Sequence, residues 1–170
     1  MGNNIRYIEE IKSHNGLCWI NSKMGLIYLG IPKTASSSMR RILGVENKSN
    51  LNDLQKKYLK YKKFTIIREP LSRFTSAVYE SFTRANDKAI LDLKKIQSIK
   101  TVAEKYISVL ETRGFIEIHT APQLAYLKSN KSEMFKLDHI LIFENLEEDF
   151  KKMVSTLKKR YSFTAYKESR

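Results

Sequence analysis

Lys33 stands between Pro32 and a hydroxyl-rich turn, Thr34-Ala35-Ser36-Ser37-Ser38. The turn separates an apolar run, Ile27 to Ile31, from a helix-compatible segment, Met39-Arg40-Arg41-Ile42-Leu43, that stops at Gly44. A buried strand, a small-residue turn and a helix N-terminus make an anion site. The first-turn amides have no intrahelical partner, the helix dipole favours negative charge, and a lysine ammonium lies beside them. The plain alternative is that Ser36 to Ser38 serve only as helix N-caps. The turn is not a Walker A loop, because Lys33 precedes it and no second glycine follows. That disfavours an ordinary nucleotide triphosphatase.

A second constellation has the same form. Phe64 to Ile67 reads as a short buried strand, and it runs into Arg68-Glu69-Pro70-Leu71-Ser72-Arg73-Phe74-Thr75-Ser76. Proline suits the first position of a helix, so a helix begins near Pro70 and extends to about Ala85, with Leu71, Phe74, Val78 and Phe82 on its apolar stripe. Arg68 at the strand end can reach an anion beyond the carboxyl edge of a sheet. Arg73 and Ser76 share a helical face, with Glu80 one turn further, and a guanidinium beside a hydroxyl suits a phosphate. Read plainly, these are surface arginines near a helix start. Two anion sites at two strand ends fit a ligand carrying two separated phosphate groups.

The elements that must position these residues follow from hydrophobic patterning. Residues 1–25 suggest a helix or strand and a hairpin-like turn broken at Gly16 and Asn21-Ser22. A helix is expected over Asn52–Tyr61, with Leu51, Leu54, Tyr58 and Tyr61 inward. A long amphipathic segment spans Asp87 to Thr112, with Ile96, Ile99, Tyr106 and Val109 inward. Phe115–Ile118 and His139–Phe143 read as strands and Glu147–Arg160 as a helix. Strands alternating with helices imply a mostly parallel sheet between helical layers. At 170 residues the chain is read as one domain, 1–170.

Composition narrows the partners. The net charge is +13, and residues 1–85 carry 15 Lys/Arg against 6 Asp/Glu, a net of +9. The surplus thus lies in the half holding the anion turns and suits nucleotides, acidic glycans or nucleic acid. The run Lys56-Lys57, Lys60 and Lys62-Lys63 reads as a solvated surface. The one cysteine, Cys18, excludes an intrachain disulfide. No apolar run reaches the ~18 residues of a membrane span. These features lead us to expect a cytoplasmic protein, or else a soluble fragment of a membrane-anchored one.

Pro32 to Ser38 resembles the 5′-phosphosulfate loop of sulfotransferases that use 3′-phosphoadenosine 5′-phosphosulfate (PAPS). Arg68-Glu69-Pro70-x-x-Arg73-x-x-Ser76 resembles the 3′-phosphate motif of the same family. His119-x-x-Pro122-Gln123 and Phe143-Glu144-Asn145-Leu146-Glu147-Glu148-Asp149-Phe150 are similar to later blocks of the Golgi-type carbohydrate sulfotransferases and their bacterial relatives. The blocks occur in family order over residues 27–150. The resemblance implies a P-loop-like α/β three-layer sandwich with a short, mostly parallel central sheet flanked by helices. It also implies transfer of a sulfonate from PAPS to a hydroxyl of a carbohydrate, releasing 3′-phosphoadenosine 5′-phosphate (PAP), with no metal.

By the same resemblance, Lys33 stabilises charge as the bond to the 5′-phosphate breaks, and Thr34, Ala35, Ser36, Ser37 and Ser38 hold that phosphate. Arg68 and Ser76 bind the 3′-phosphate. Arg73 matches the motif, but a salt bridge to a neighbouring helix suits it equally. His119, in the matching His-x-x-Pro-Gln block, is the first candidate for the base; Glu80 is the second, since related sulfotransferases can use a glutamate and it shares the Arg73/Ser76 face. Glu144 is read as structural. Where many relatives have glycine, this chain has Ala35, which is costly if the turn needs a positive φ. Two other readings stay open: a P-loop kinase-like enzyme, and a catalytically reduced polyanion binder without specific nucleic-acid recognition.

Overall fold

The computed structural model describes residues 14–45, 47–83, 98–113 and 118–158. Its frame is a five-stranded sheet: β1 (Leu17–Asn21), β2 (Leu26–Leu29), β3 (Asn47–Asn50), β4 (Lys62–Ile67) and β5 (His139–Ile142), in the order β3-β1-β2-β4-β5. β2, β4 and β5 run parallel, while β1 joins β2 as an antiparallel hairpin and β3 pairs antiparallel with β1. The expected α/β sandwich with parallel strands at its functional centre is present, and the hairpin turn expected after Asn21 is what joins β1 to β2.

Among the described residues four helices accompany the sheet: α1 (Ser36–Leu43), α2 (Pro70–Thr83), α3 (Ile99–Arg113) and α4 (Leu146–Lys158). α1 ends where the glycine signal places it, with Gly44 in the left-handed region at φ 54° and its N–H donating to the carbonyls of Arg40 and Arg41. One sheet face stacks Trp19, Tyr28 and Phe64, with ring centroids 5.9 and 5.2 Å apart. Met39 and Leu43 of α1 and Met153 and Leu157 of α4 close over this cluster. Trp19 also crosses Gly30 so closely that a Cβ there would lie 2.2 Å from its ring. On the opposite face Cys18, Ile20, Ile27 and Leu29 are covered by Ala121, Tyr126 and Leu127. α3 packs against α2, with Phe74 edge-on to Tyr106.

Three expectations need correction. Residues 52–61 are not one helix but two 3-10 turns, Leu51–Asp53 and Lys56–Tyr58. The Asn50 side chain accepts the Asn52 N–H and starts the first turn, and the extended backbone at Leu54 and Gln55 (ψ 130° and 147°) interrupts it. Leu51, Leu54, Tyr58 and Tyr61 nevertheless pack inward as expected. Leu71, placed on the apolar stripe of α2, is 70% exposed and lines an open cleft; Phe74 and Val78 carry the packing. β3 was not foreseen, since Asn47-Lys48-Ser49-Asn50 carries no apolar signal and is drawn into the sheet by its pairing with β1.

Asp87–Gln97, Phe115–Glu117 and the ends of the chain lie outside the described residues, as do the side chains of Phe82, Ile99 and Val109. Ile118, expected in a strand, lies in a turn.

Cys18 on β1 is fully buried, and desolvation pushes its thiol from 9.0 up to about 12. Below pH 9 the native thiol is protonated and shielded. A thiol reagent at pH 8 should therefore label the protein only after denaturation. As pH rises from 9 toward 12 the unfolded chain ionises first, so wild type should lose stability relative to Cys18→Ala across that window. Rapid native labelling at pH 8 would contradict this placement.

Candidate active site

The parallel pairing of β2 with β4 brings two turns out at the same sheet edge. Pro32 to Ala35 leaves β2, and Arg68 leaves β4. Lys33 and Ala35 both take the left-handed conformation, at φ 69° and 64°. Two such residues reverse the chain sharply and start α1 directly beneath the turn.

Ala35 is the N-cap residue of α1, and it makes no side-chain capping bond; the first turn also holds no acidic residue. The first intrahelical bond is Met39 N–H to the Ala35 carbonyl, at 2.9 Å. Ser36, Ser37 and Ser38 therefore belong to the first helical turn and are not N-caps. Their amides lie ahead of the helical ladder and face the turn.

The hydroxyls divide into two groups. Thr34 is buried, its Oγ1 donating to the Ile31 carbonyl at 2.9 Å. Ser36 Oγ donates to the same carbonyl at 2.5 Å and accepts from the Tyr28 hydroxyl at 3.2 Å. These two brace the turn from below, and Tyr28, whose burial raises its pKa, remains a donor. Ser37 and Ser38 are exposed, with Ser37 Oγ accepting from Arg40 Nη2 at 3.2 Å. Lys33 Nζ donates to Glu80 Oε2 of α2, and the two side chains are only 17% and 24% exposed. Two residues far apart in sequence, each a candidate for catalysis, thus form one ion pair over the turn.

α2 opens differently. Glu69 Oε1 accepts the Leu71 N–H at 2.9 Å and Oε2 the Ser72 N–H at 2.6 Å. These bonds, chiefly that from Ser72, hold the Glu69 carboxyl below its ordinary range. The α2 N-terminus is thus filled by the protein's own carboxylate, so any anion here must be held by side chains. Glu144 accepts the Glu69 N–H at 3.0 Å, which is the structural task expected of it.

Arg68 provides the side chain. Its Nε donates to Ser72 Oγ at 2.9 Å, its Nη1 to the Lys33 carbonyl at 3.2 Å, and its plane lies 4.2 Å from the Phe143 ring centroid. All these contacts are neutral. Among the described residues no carboxylate forms an ion pair with Arg68, and three of its five N–H groups have no protein acceptor. Arg68, Ser72, Thr75, Ser76 and Tyr79, together with Glu69 and Leu71, line an open cleft of about 540 Å³. Ser72 escaped the sequence reading; its spacing of four from both Arg68 and Ser76 was the available signal.

Arg73 points away from this cleft. It is 4% exposed, donating from Nε to the Pro32 carbonyl at 2.9 Å and from Nη1 to the Ala121 carbonyl at 2.7 Å. Its position gives it a tying role between the Lys33 turn and the segment that carries His119. His119 lies in the Ile118–Thr120 turn, two residues before that contact, and Tyr126 OH donates to the Ile118 carbonyl. Gln123, missed as a positioning group, bonds to both backbone groups of Arg68. Among the described residues no cluster of His, Cys, Asp or Glu could hold a metal ion, and no helix is long and apolar enough to cross a membrane.

A lysine at an uncapped helix start and an arginine held by neutral acceptors follow two adjacent parallel strands, where the first two sequence blocks place them. A model of the sulfotransferase family matches residues 17–164. The chain belongs to the sulfotransferase family. No curated protein and no solved structure matches it significantly. This sulfotransferase is accordingly a sulfonate-transferring enzyme of α/β fold, and the matched span includes every site residue described above.

Holding Ala35 left-handed costs roughly 1 kcal/mol, a cost that glycine avoids. Ala35→Gly should therefore raise the melting temperature of this sulfotransferase by about 2–4 °C. An unchanged or lower melting temperature would show that the turn does not hold this conformation in solution.

Proposed function

We propose that this sulfotransferase takes its sulfonate from PAPS and delivers it to a hydroxyl of a carbohydrate. The observation that carries the donor reading is Arg68: a guanidinium fixed by neutral acceptors, whose neighbouring carboxylate, Glu69, is bonded to the α2 amides, beside a lysine at an uncapped helix start. Such a pair of sites suits a nucleotide with phosphates on both its 5′ and 3′ sides. The carbohydrate acceptor is supported by the blocks at His119–Gln123 and Phe143–Phe150 and by the basic surface.

When bound, the donor supplies an electrophilic sulfur. The acceptor oxygen–sulfur bond forms as the sulfur–oxygen bond to the 5′-phosphate breaks, the acceptor proton passes to a base, and PAP leaves. The chain's work is positioning and charge stabilisation. Amides of the first turn of α1, with Ser37 and Ser38, receive the 5′-phosphate. Lys33 balances the charge that gathers there, exchanging its bond to Glu80 for one to the donor. Arg68, Ser72 and Ser76 receive the 3′-phosphate. His119 is assigned the base, because an imidazole nitrogen can accept the acceptor's proton and its segment is tied to the Lys33 turn through Arg73. Glu80, the second candidate, acts as the counter-ion of Lys33.

Transfer of labelled sulfonate from PAPS to a panel of oligosaccharides tests this reading. Lys33→Ala and His119→Ala should each lower kcat by about 10²–10⁴, and His119→Ala should leave PAP affinity unchanged. Full activity in His119→Ala with a loss in Glu80→Gln would move the base to Glu80. ATP-dependent phosphorylation without sulfonate transfer would contradict the donor assignment.

A further inference from the structure

The sheet ends just short of the arginine. β4 makes its last pair with β2 at Thr65–Leu29 and its last pair with β5 at Ile67–Ile142. Arg68 lies one residue beyond, where its backbone groups have left the ladder. Gln123 supplies partners for both. Its Oε1 accepts the Arg68 N–H at 2.9 Å, and its Nε2 donates to the Arg68 carbonyl at 2.7 Å. One side-chain amide thus adds a rung to the strand at the residue whose guanidinium enters the cleft.

We infer that Gln123 is the positioning residue for 3′-phosphate recognition, acting through the backbone of Arg68; this rests on the donor reading above. A long side chain magnifies any backbone rotation at its root. The contacts of Arg68 to Ser72 Oγ, to the Lys33 carbonyl and over Phe143 are held in register only while its Cα is fixed. Gln123 also follows His119 by four residues, and Ala121 between them is tied by Arg73 to Pro32. The segment bearing the assigned base therefore also fixes the donor-binding arginine. A structural glutamine would stabilise the fold and touch all ligands alike. A positioning glutamine should matter chiefly for ligands that carry a 3′-phosphate.

The test compares dissociation constants for PAP and for adenosine 5′-phosphosulfate, which lacks the 3′-phosphate, in wild type, Gln123→Ala and Gln123→Glu. Apo melting temperatures are measured alongside. Loss of one well-aligned charge-assisted contact should weaken PAP roughly tenfold in Gln123→Ala and change adenosine 5′-phosphosulfate by less than about twofold. Gln123→Glu keeps the shape and the acceptor for the Arg68 N–H but has no donor for its carbonyl. It should show the same selective loss, and it carries the comparison if the alanine variant is unfolded at the assay temperature. Equal losses for both ligands, or none, would overturn the assignment while leaving the donor reading intact. Absence of PAP binding in wild type would defeat the donor reading itself.

Discussion

The site depends on one buried cation. Arg73 projects from α2 into the interior and donates to a carbonyl on each of two loops, Pro32 before the Lys33 turn and Ala121 after His119. Taking a guanidinium out of water costs several kcal/mol, and that cost is recovered only if its donors find good acceptors. The carbonyls of two chain reversals are such acceptors, since neither lies within a strand or helix. The bond that stabilises Arg73 thus also stitches three segments together. Apolar packing around Tyr126 also joins these segments, but it fixes distance less sharply than a planar fork of hydrogen bonds.

A division of labour follows from helix termini. α1 and α2 both begin at the carboxyl edge of the parallel strands, yet only α2 caps itself. Glu69 fills the α2 N-terminus, so Arg68 and the serines must do the binding there. Ala35 cannot fill that of α1, and the missing cap is a local instability that an anion would remove. The left-handed backbone at Lys33 and Ala35 is a second cost at the same place. Concentrated local cost beside a well-packed core is how a ligand-binding turn differs from an ordinary connection.

Much of this was legible before any coordinates. The apolar run, the lysine, the small residues and Gly44 marked the β2–turn–α1 unit, because each residue acts through local backbone preference. Arg68 at a strand end was legible for the same reason. Arg73 was not, because its motif position is compatible with pointing into the cleft or away from it, and only the carbonyls of Pro32 and Ala121 decide. Ser72 and Gln123 depend on contacts across the fold, the latter spanning 55 positions. β3 and the broken segment after it followed tertiary pairing over propensity, as short polar strands do.

The central claim is that the two turns together bind a nucleotide bearing 5′- and 3′-phosphates. Titration calorimetry of the wild-type protein with PAP, with ATP as the comparison, tests it most directly. The account predicts saturable one-to-one binding of PAP, much weaker binding of ATP, and loss of the preference in Arg68→Ala. Equal affinity for PAP and ATP, unaffected by Arg68→Ala, would contradict it.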